Sequence, residues 1–569
     1  MEEASMRFDS TLYDPRYPDD CPDTFAACLN ARGLYESQRF ALRLSPVVHG
    51  LVESLLAKSE AGRADYTGDE LQAYSTFVHE TVHWWQHKGS TSGFIRSILY
   101  PVQTHSNLNG LKSVLRNFGA KKCVKDLAVS GELGLLSPDK AKACLTANHV
   151  VNGFMDTEFY LALTFDPKKD VEIYENGYFQ AAGHSFLLTY AQVIGAVGEL
   201  VDPSWEFLTK PQVMANHLKA LGEQKIKGYY YGTPITRAPV GLYEIYEGQA
   251  RFIQLQFLAR SEGGMTIDDA RRAGMLKGVY VAAFDVFLKM SGTDEPLAII
   301  DPVVALFLFI CDAAINPTTG FPSVVESYEF FYLDADPGIR FAKMCYAVAE
   351  DPSLRGLVKD YSATEYRELA DRLSDLSEMK NHLSELEIFK NHVDGNDQAM
   401  KLVSEHAAFK FDPDSVPLRL LTGEFLSFLK DRLDSPEFFC WAGYWLNRDD
   451  GGSPRRLWLA HQSLFSDRAD SDALFPRMHP DREESQVHET FNNFYIGMIL
   501  YSLTKQWVLN NGEFDRDFFW LTDQSGDASF QDRVNDIFRG QFGVSLDEFE
   551  ILDHEAIWKQ VEQFSGSLP

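Results

Sequence analysis

Residues 67–89 read TGDELQAYSTFVHETVHWWQHKG, a stretch that predicts one long amphipathic helix. Thr67 and Glu70, three residues apart, match the capping box that begins many helices, and Gly89 is a typical stop signal. Apolar side chains recur at spacings of three and four, as a helix that faces a core requires. These side chains are Leu71, Tyr74, Val78, Val82 and Trp85.

Within this helix, residues 79–83 form an HExxH pentad. Side chains four residues apart lie on one helix face, so His79 and His83 can bind one tetrahedral zinc ion. Glu80 then lies beside the metal, where its carboxylate can take a proton from zinc-activated water and pass it to a leaving amine. The pentad therefore predicts zinc-dependent hydrolysis of peptide bonds. In the alternative interpretation both imidazoles are hydrogen-bonded core histidines and Glu80 is exposed.

A catalytic zinc site needs a third protein ligand and one open position. The metzincin arrangement is excluded, because Gly89 stands where its third His would be and Gln86 stands where it has Gly. His87 continues the same helix face, but it lies another turn away and we interpret it as a neighbour rather than a ligand. The remaining common ligand is a Glu on a later helix, and Glu247, within residues 241–252, is our choice.

The pentad and the segment Glu247-Gly248-Gln249-Ala250 together resemble the gluzincins, the thermolysin-like and aminopeptidase-like clan of zinc metallopeptidases. In that clan HExxH is completed by a Glu that Gly and Ala often follow. The resemblance implies His79, His83 and Glu247 as metal ligands and Glu80 as general base. It also implies that small residues after the Glu let two helices approach closely across the metal. It covers only these two segments and does not identify a family within the clan.

The position of the third ligand departs from the pattern of the clan. Glu247 lies 164 residues after His83, a longer spacing than is usual there, which predicts an inserted helical subdomain at about 92–225. In the plain alternative, Glu247 is an ordinary carboxylate on a helix surface. Other candidate ligands are Glu244, one turn earlier, and Glu132 and Glu158, which suit a shorter connection.

A further donor should stabilise the tetrahedral oxyanion of the reaction. The resembling families use a Tyr or a His for this purpose. Our candidates are Tyr230, in the run Tyr229–Tyr231, and His184, in Gly183-His184-Ser185. A structural role is the alternative for each of them.

Composition bounds the class of protein. The chain has 569 residues and a net charge of −29, which disfavours nucleic acid as a partner because phosphates would be repelled. Residues 1–5 lack the pattern of a secretory signal, and the most apolar run, 302–311, is too short to span a bilayer and predicts a buried helix. Seven cysteines without a CxxC pair favour reduced thiols. We expect a cytoplasmic protein that binds neither nucleic acid nor membrane.

Strand signals are few along the chain. Alternating side chains predict a strand at 37–44, and Ser45-Pro46 then begins a short helix that runs to about Lys58. From about 92 to 290 the pattern is mostly helical. Charge and partial heptad spacing at 361–408 predict a long surface helix or a helical hairpin.

The predicted fold class is mainly α with a small β-sheet (α+β), in which a zincin-like catalytic core is embedded in a large helical protein. We divide the chain into three regions. They are a zincin-like metallopeptidase region at 1–290 that contains the helical insertion, a helical region at 291–410, and an aromatic-rich, mostly helical region at 411–569.

The sequence predicts a zinc metallopeptidase that acts on a protein or peptide substrate, with Zn²⁺ as cofactor, Glu80 as general base and a regulatory protein partner. The main alternative is a non-catalytic zincin-like helical scaffold or binding protein. A third interpretation is another zinc-dependent hydrolysis, such as deamidation.

Overall fold

The computed structural model describes residues 32–132, 138–261, 263–446, 452–479, 482–522 and 524–565. Helices make up most of these residues, which confirms the predicted mainly α class with a small β component. The strands are β1 (Gly33–Glu36), β2 (Ala41–Leu44), β3 (Lys121–Lys122), β4 (Phe465–Arg468), β5 (Ser471–Pro476) and β6 (Glu550–Ile551). The helices are α1 (Pro46–Glu60), α2 (Gly68–Gly89), α3 (Thr91–Phe118), α4 (Val124–Glu132), α5 (Pro138–Phe165), α6 (Asp170–Tyr174), α7 (Ala182–Val201), α8 (Pro211–Glu223), α9 (Leu242–Ser261), α10 (Ile267–Arg272), α11 (Val279–Ser291), α12 (Pro302–Ala314), α13 (Phe331–Ala335), α14 (Pro337–Glu350), α15 (Ala363–Leu376), α16 (His382–Gly395), α17 (Asp397–Ala408), α18 (Val416–Asp434), α19 (Pro436–Cys440), α20 (Ala442–Trp445), α21 (Ser453–Ala460), α22 (Glu484–Leu509), α23 (Ala528–Phe542) and α24 (His554–Ser565).

Helix α2 has the bounds that its sequence predicts. The Thr67 hydroxyl accepts a hydrogen bond from the Glu70 amide at 3.2 Å, and the Glu70 carboxylate accepts one from the Thr67 amide at 2.7 Å. The helix ends at Gly89, and Ser90 then caps α3 through the amide of Gly93. Almost every side chain of α2 from Glu70 onward is buried, because α1, α3, α9 and α18 pack around it. The pentad therefore lies in the buried core.

The strand predicted at 37–44 is confirmed for residues 41–44 and wrong for residues 37–40. Residues 37–40 form a turn that ends at Phe40, whose φ of 59° lies in the left-handed region, and only 41–44 is a strand. This turn joins β1 and β2 into an antiparallel hairpin with Gly33 opposite Leu44. The predicted start of α1 is confirmed, since the Ser45 side chain accepts from the third amide of that helix.

The main sheet has the strand order β1-β2-β4-β5, so β1 is an edge strand as far as the described residues extend. Strand β2 pairs in parallel with β4, with Ala41 opposite Phe465, and β4 pairs in antiparallel with β5. The sheet thus joins the N-terminal hairpin to a hairpin from the last third of the chain. The division of the chain into three regions stays a prediction.

Two further predictions concern the later helices. The buried helix predicted at 302–311 is confirmed as α12, which begins at an Asp301 cap. The prediction of one long helix or a helical hairpin at 361–408 is wrong, because three helices, α15, α16 and α17, occupy these residues. Asn381 and Asn396 cap the second and third of these helices, which accounts for the breaks. Among the described residues, none of the helices combines the length and apolarity that crossing a bilayer requires.

Candidate metal centre

Helices α2 and α9 pack against each other and bring three potential metal ligands together. The Nε2 atoms of His79 and His83 lie 3.1 Å apart. An oxygen of the Glu247 carboxylate lies 3.4 Å from the first nitrogen and 3.5 Å from the second. We call these three residues the metal triad. The imidazoles are buried, whereas the Glu247 side chain is 20% exposed and forms the accessible side of the group.

The triad has the dimensions of a tetrahedral zinc site. Ligand atoms about 2.0–2.1 Å from a tetrahedral ion lie about 3.3 Å from one another. The three observed separations, 3.1, 3.4 and 3.5 Å, scatter around that edge length. Two imidazoles and one carboxylate are also the donor set of one class of catalytic zinc sites. The residues therefore fit a zinc ion.

The protonation of the triad reflects opposing effects. Burial lowers the pKa of His79 to about 4, because the imidazolium is desolvated. Burial opposes the charged form of His83 too, but the Glu247 carboxylate outweighs it and raises the pKa of His83 to about 9. Burial would raise the pKa of Glu247, yet the two imidazoles lower it below its usual range. Ion-pairing thus favours a carboxylate in the triad.

Gln86 orients one of the imidazoles. The Nδ1 of His83 lies 2.8 Å from the Gln86 amide oxygen, so this nitrogen donates and Nε2 is left to face the triad. The Gln86 amide nitrogen donates to the carbonyl of Tyr246 and to the side chain of Gln249, each at 2.9 Å, which fixes the orientation of the amide. The Nδ1 of His79 is buried and has no hydrogen-bond partner among the described residues.

Glu80 is buried, at 6% exposure, beneath the edge strand β1. A Cβ at Gly33 would lie 2.8 Å from Cγ and from Oε1 of Glu80, so only glycine allows this close approach. Burial raises the pKa of Glu80 to about 7, Glu247 adds to the rise, and His83 and Arg251 oppose it. A carboxyl with such a pKa can both accept and return a proton near neutral pH.

The other candidate ligands have different partners. His87 lies between the rings of Tyr35 and Tyr246, and burial lowers its pKa far below the usual value. Glu244 accepts from Lys168 at 2.7 Å and from the Gly241 amide at 2.9 Å, so it caps α9. Glu158 pairs with Lys505. Glu132 ends α4, and its side chain lies outside the described residues.

The two predicted oxyanion donors are not in contact with the triad. The ion-pair partner of His184 is Asp156, at 3.6 Å. The carbonyl of Tyr230 accepts from the amide of Thr233 in a turn. Within the part of the chain that the structure describes, neither side chain makes a hydrogen bond, ion pair or ring contact with a triad residue.

Comparison of the chain with protein-family models, with curated proteins and with solved structures finds no match.

Two residues that the sequence did not single out lie beside the triad. The Tyr280 ring, at the start of α11, is 6.0 Å from the His79 ring, and burial raises the pKa of Tyr280 to about 12. The guanidinium of Arg251 lies 4.0 Å from the centre of the Tyr280 ring. Helical spacing could have revealed Arg251, because it follows Glu247 by four residues on α9.

The small residue after Glu247 has another role than the resemblance implies. A Cβ at Gly248 would lie 3.4 Å from Phe307 and 3.5 Å from Ala283. These are ordinary van der Waals distances, and the three nearest neighbours of such a Cβ lie on α12 and α11 rather than on α2. This packing holds the start of α11, and with it Tyr280, next to the triad.

Proposed function

We propose that this protein is a gluzincin-like zinc metallopeptidase with a zincin-like core. The observation that carries the proposal is the convergence of His79 Nε2, His83 Nε2 and Glu247 Oε2 at the edge lengths of a tetrahedral zinc site, with Glu80 buried beside them. Two nitrogen donors and one carboxylate favour zinc over calcium or magnesium, which prefer oxygen ligands alone. A zinc ion held there would supply Lewis acidity that polarises the scissile carbonyl and acidifies water.

The residues of the chain supply the remaining chemistry. Glu80 takes the proton of the attacking water and passes it to the leaving nitrogen, which its raised pKa suits. Tyr280 keeps its phenolic proton at neutral pH and donates a hydrogen bond to the developing oxyanion. Gln86 keeps His83 in the tautomer whose Nε2 faces the ligands.

The edge strand supports a protein or peptide substrate. Among the residues that the structure describes, strand β1 pairs with β2 alone, and the backbone of Tyr35 donates a hydrogen bond to Glu80. The open edge of a strand is a template for an extended peptide. A substrate that pairs with this edge would pass directly over the general base.

Metal analysis and proteolysis assays test the proposal. We would measure zinc per chain and cleavage of a denatured protein for the parent protein, His83→Ala and Glu80→Gln. The parent is expected to bind one zinc and to cleave. His83→Ala should lose both zinc and cleavage, whereas Glu80→Gln should keep zinc and lose a factor of about 10²–10⁴ in rate.

The outcomes separate the alternatives. Zinc binding without cleavage by the parent would favour a zincin-like scaffold or binding protein, and release of ammonia without chain cleavage would favour deamidation. Cleavage that persists in Glu80→Gln would remove the general-base role. We also propose a cytoplasmic location, which the five free cysteines among the described residues support.

A further inference from the structure

We infer that Arg251 makes this metal centre selective for substrates that carry a carboxylate next to the scissile bond. The inference rests on the proposed peptidase function and deepens it by naming the substrate class. The carboxylate is either the C-terminus of a peptide or the side chain of an Asp or Glu.

Arg251 belongs to the site by position. It lies one helical turn after Glu247 on α9, so the two side chains share a helix face. Its guanidinium stacks on the Tyr280 ring, which itself lies beside His79. Its positive charge is close enough to contribute to the lowered pKa of His79, for which burial is the larger cause.

The Arg251 side chain is held in place by a chain of hydrogen bonds. One of its terminal nitrogens donates to the Gln254 amide oxygen at 2.6 Å. The Gln254 amide nitrogen donates to the Ser75 hydroxyl at 2.9 Å, which connects the arrangement back to α2. The guanidinium is therefore fixed before any ligand arrives, which lowers the entropy cost of binding.

Arg251 is a buried cation, at 5% exposure, without a carboxylate within ion-pair distance among the described residues. Its buried Nε–H also has no acceptor in that part of the chain. The Nε–H groups of Arg96, Arg340 and Arg432 lack an acceptor among the described residues too. Arg432 nevertheless pairs with Asp312, and Arg96 and Arg340 donate to backbone carbonyls, so what sets Arg251 apart is its place beside the triad. Burying a charge without a counterion is costly, so such a residue is a candidate for binding an anion.

The chemistry of the missing acceptor is specific. A guanidinium presents donors in a planar fork that matches both oxygens of a carboxylate. The same site needs a substrate carbonyl next to His79 and Tyr280, so the carboxylate has to be close to the bond that is cleaved. Glu247 and the half-buried ring of Tyr280 form the accessible side through which such a substrate would enter.

Binding to full-length Glu80→Gln protein tests the inference without turnover. Calorimetry would compare three N-acetylated dipeptides: one with a free C-terminal carboxylate, its C-terminal amide, and an amide that carries an Asp side chain. At least one carboxylate peptide should bind about 10–100 times more tightly than the neutral amide, as expected for a hydrogen-bonded charge. The peptide that shows the preference identifies the source of the carboxylate.

Two variants in the Glu80→Gln background assign the preference to Arg251. Arg251→Gln should bind all three peptides equally weakly while its zinc content stays unchanged. Arg260→Gln is the matched control, because Arg260 lies on the same helix and also stacks on a tyrosine, Tyr444. This control should keep the full preference. Arg251→Lys, which keeps the charge but not the fork, should keep part of it.

Equal binding of carboxylate and amide peptides to the Glu80→Gln protein overturns the inference, and this comparison needs no Arg251 variant to fold. A preference that persists in Arg251→Gln overturns it too, because the metal would then be the anion site. Cleavage by the parent without any carboxylate preference leaves the peptidase proposal standing and rejects this one. A carboxylate preference that depends on Arg251, in a protein that cleaves none of the substrates, supports the role of Arg251 in binding and rejects the peptidase proposal.

Discussion

Two buried polar clusters contact the pentad helix, one in its middle turns and one at its C-terminal end, and they differ in how their charges are paired. The first is the metal triad, between α2 and α9. The second, which we call the Asp312 cluster, joins α12, α15, α16 and α18, and Arg432 connects it to the carbonyl of Gly89 at the end of α2. The members of the Asp312 cluster are Asp312, Tyr366, His382 and Arg432.

The charges are paired in the Asp312 cluster. The Tyr366 hydroxyl donates to Asp312 at 2.5 Å and accepts from the Nε2–H of His382 at 2.9 Å, while Arg432 neutralises the carboxylate. In the metal triad, by contrast, two imidazole nitrogens and a carboxylate oxygen face one another at 3.1–3.5 Å, and the fixed Arg251 beside them has no carboxylate partner among the described residues. A buried cluster whose charges are paired serves the fold, whereas converging metal-ligand atoms beside an unpaired cation indicate a binding site.

The largest effect on stability is expected in the Asp312 cluster. Asp312→Ala leaves the buried Arg432 without its counterion and should lower the free energy of unfolding by about 3–5 kcal/mol. Urea unfolding followed by circular dichroism measures this change. Asp434→Ala, an exposed acid on α18, is the control and should stay within about 0.5 kcal/mol of the parent. Zinc per folded chain should be unchanged in both variants. Loss of zinc from folded Asp312→Ala would contradict the assignment of the Asp312 cluster to the fold alone.

Tyr280→Phe should lower kcat without destabilising the fold. Removal of one oxyanion donor lowers kcat by about 10²–10³, or about 2.7–4 kcal/mol in the barrier. Steady-state kinetics on the peptide that the parent cleaves measures the effect, with zinc content as the second readout. Tyr243→Phe, one turn before Glu247, is the matched control and should keep its kcat. An unchanged kcat in Tyr280→Phe would remove this residue from the mechanism.

Gln86→Met should weaken the metal site through His83. Without the amide oxygen, His83 Nδ1 loses its acceptor and the ring is free to turn, so zinc affinity should fall by about 10–100-fold. Competition with a chromophoric chelator measures the affinity. Gln72→Met replaces another buried glutamine of α2 and should bind zinc like the parent. Equal losses in the two variants would mean that the effect arises from packing of α2.

The smallest effect is expected at Lys88, whose buried amine lies 3.6 Å from the Phe40 ring and has no hydrogen-bond partner in the described residues. Burial holds the pKa of Lys88 far below its usual value, so folding excludes a proton that the unfolded chain binds. Lys88→Met should stabilise the fold by on the order of 1 kcal/mol at pH 7. As pH rises toward about 10, the unfolded chain loses the proton on Lys88 as well, so the cost of burying this amine falls. The stability gained by Lys88→Met should therefore be smaller at that pH. Denaturation of both proteins at pH 7 and 9.5 checks the trend, and a destabilised variant would contradict it.

Local signals predicted the elements that local chemistry decides. The Thr67 and Glu70 caps set the start of α2, and Ser45-Pro46 set the start of α1. The hairpin was missed in part because Phe40 takes a left-handed conformation that its residue type disfavours. The parallel pairing of β2 with β4 joins residues 41 and 465, and no local pattern encodes a partner so distant in sequence.

In the candidate site too, local sequence predicts some of the residues, and others are placed by the packing of distant segments. Two imidazoles on one helix follow from spacing, and the choice of Glu247 followed from a resemblance. Tyr280 reaches the triad through the packing of α11 against Gly248, which periodicity does not report. Gln86, three residues after His83, was within reach of helical spacing.

Zinc K-edge absorption spectroscopy of the purified full-length protein tests the central claim most directly. We predict one zinc per chain with two imidazole nitrogens and a carboxylate oxygen about 2.0–2.1 Å away, and loss of the carboxylate scatterer in Glu247→Ala. A protein that binds no zinc, or a zinc shell that stays the same in both His83→Ala and Glu247→Ala, would contradict the account.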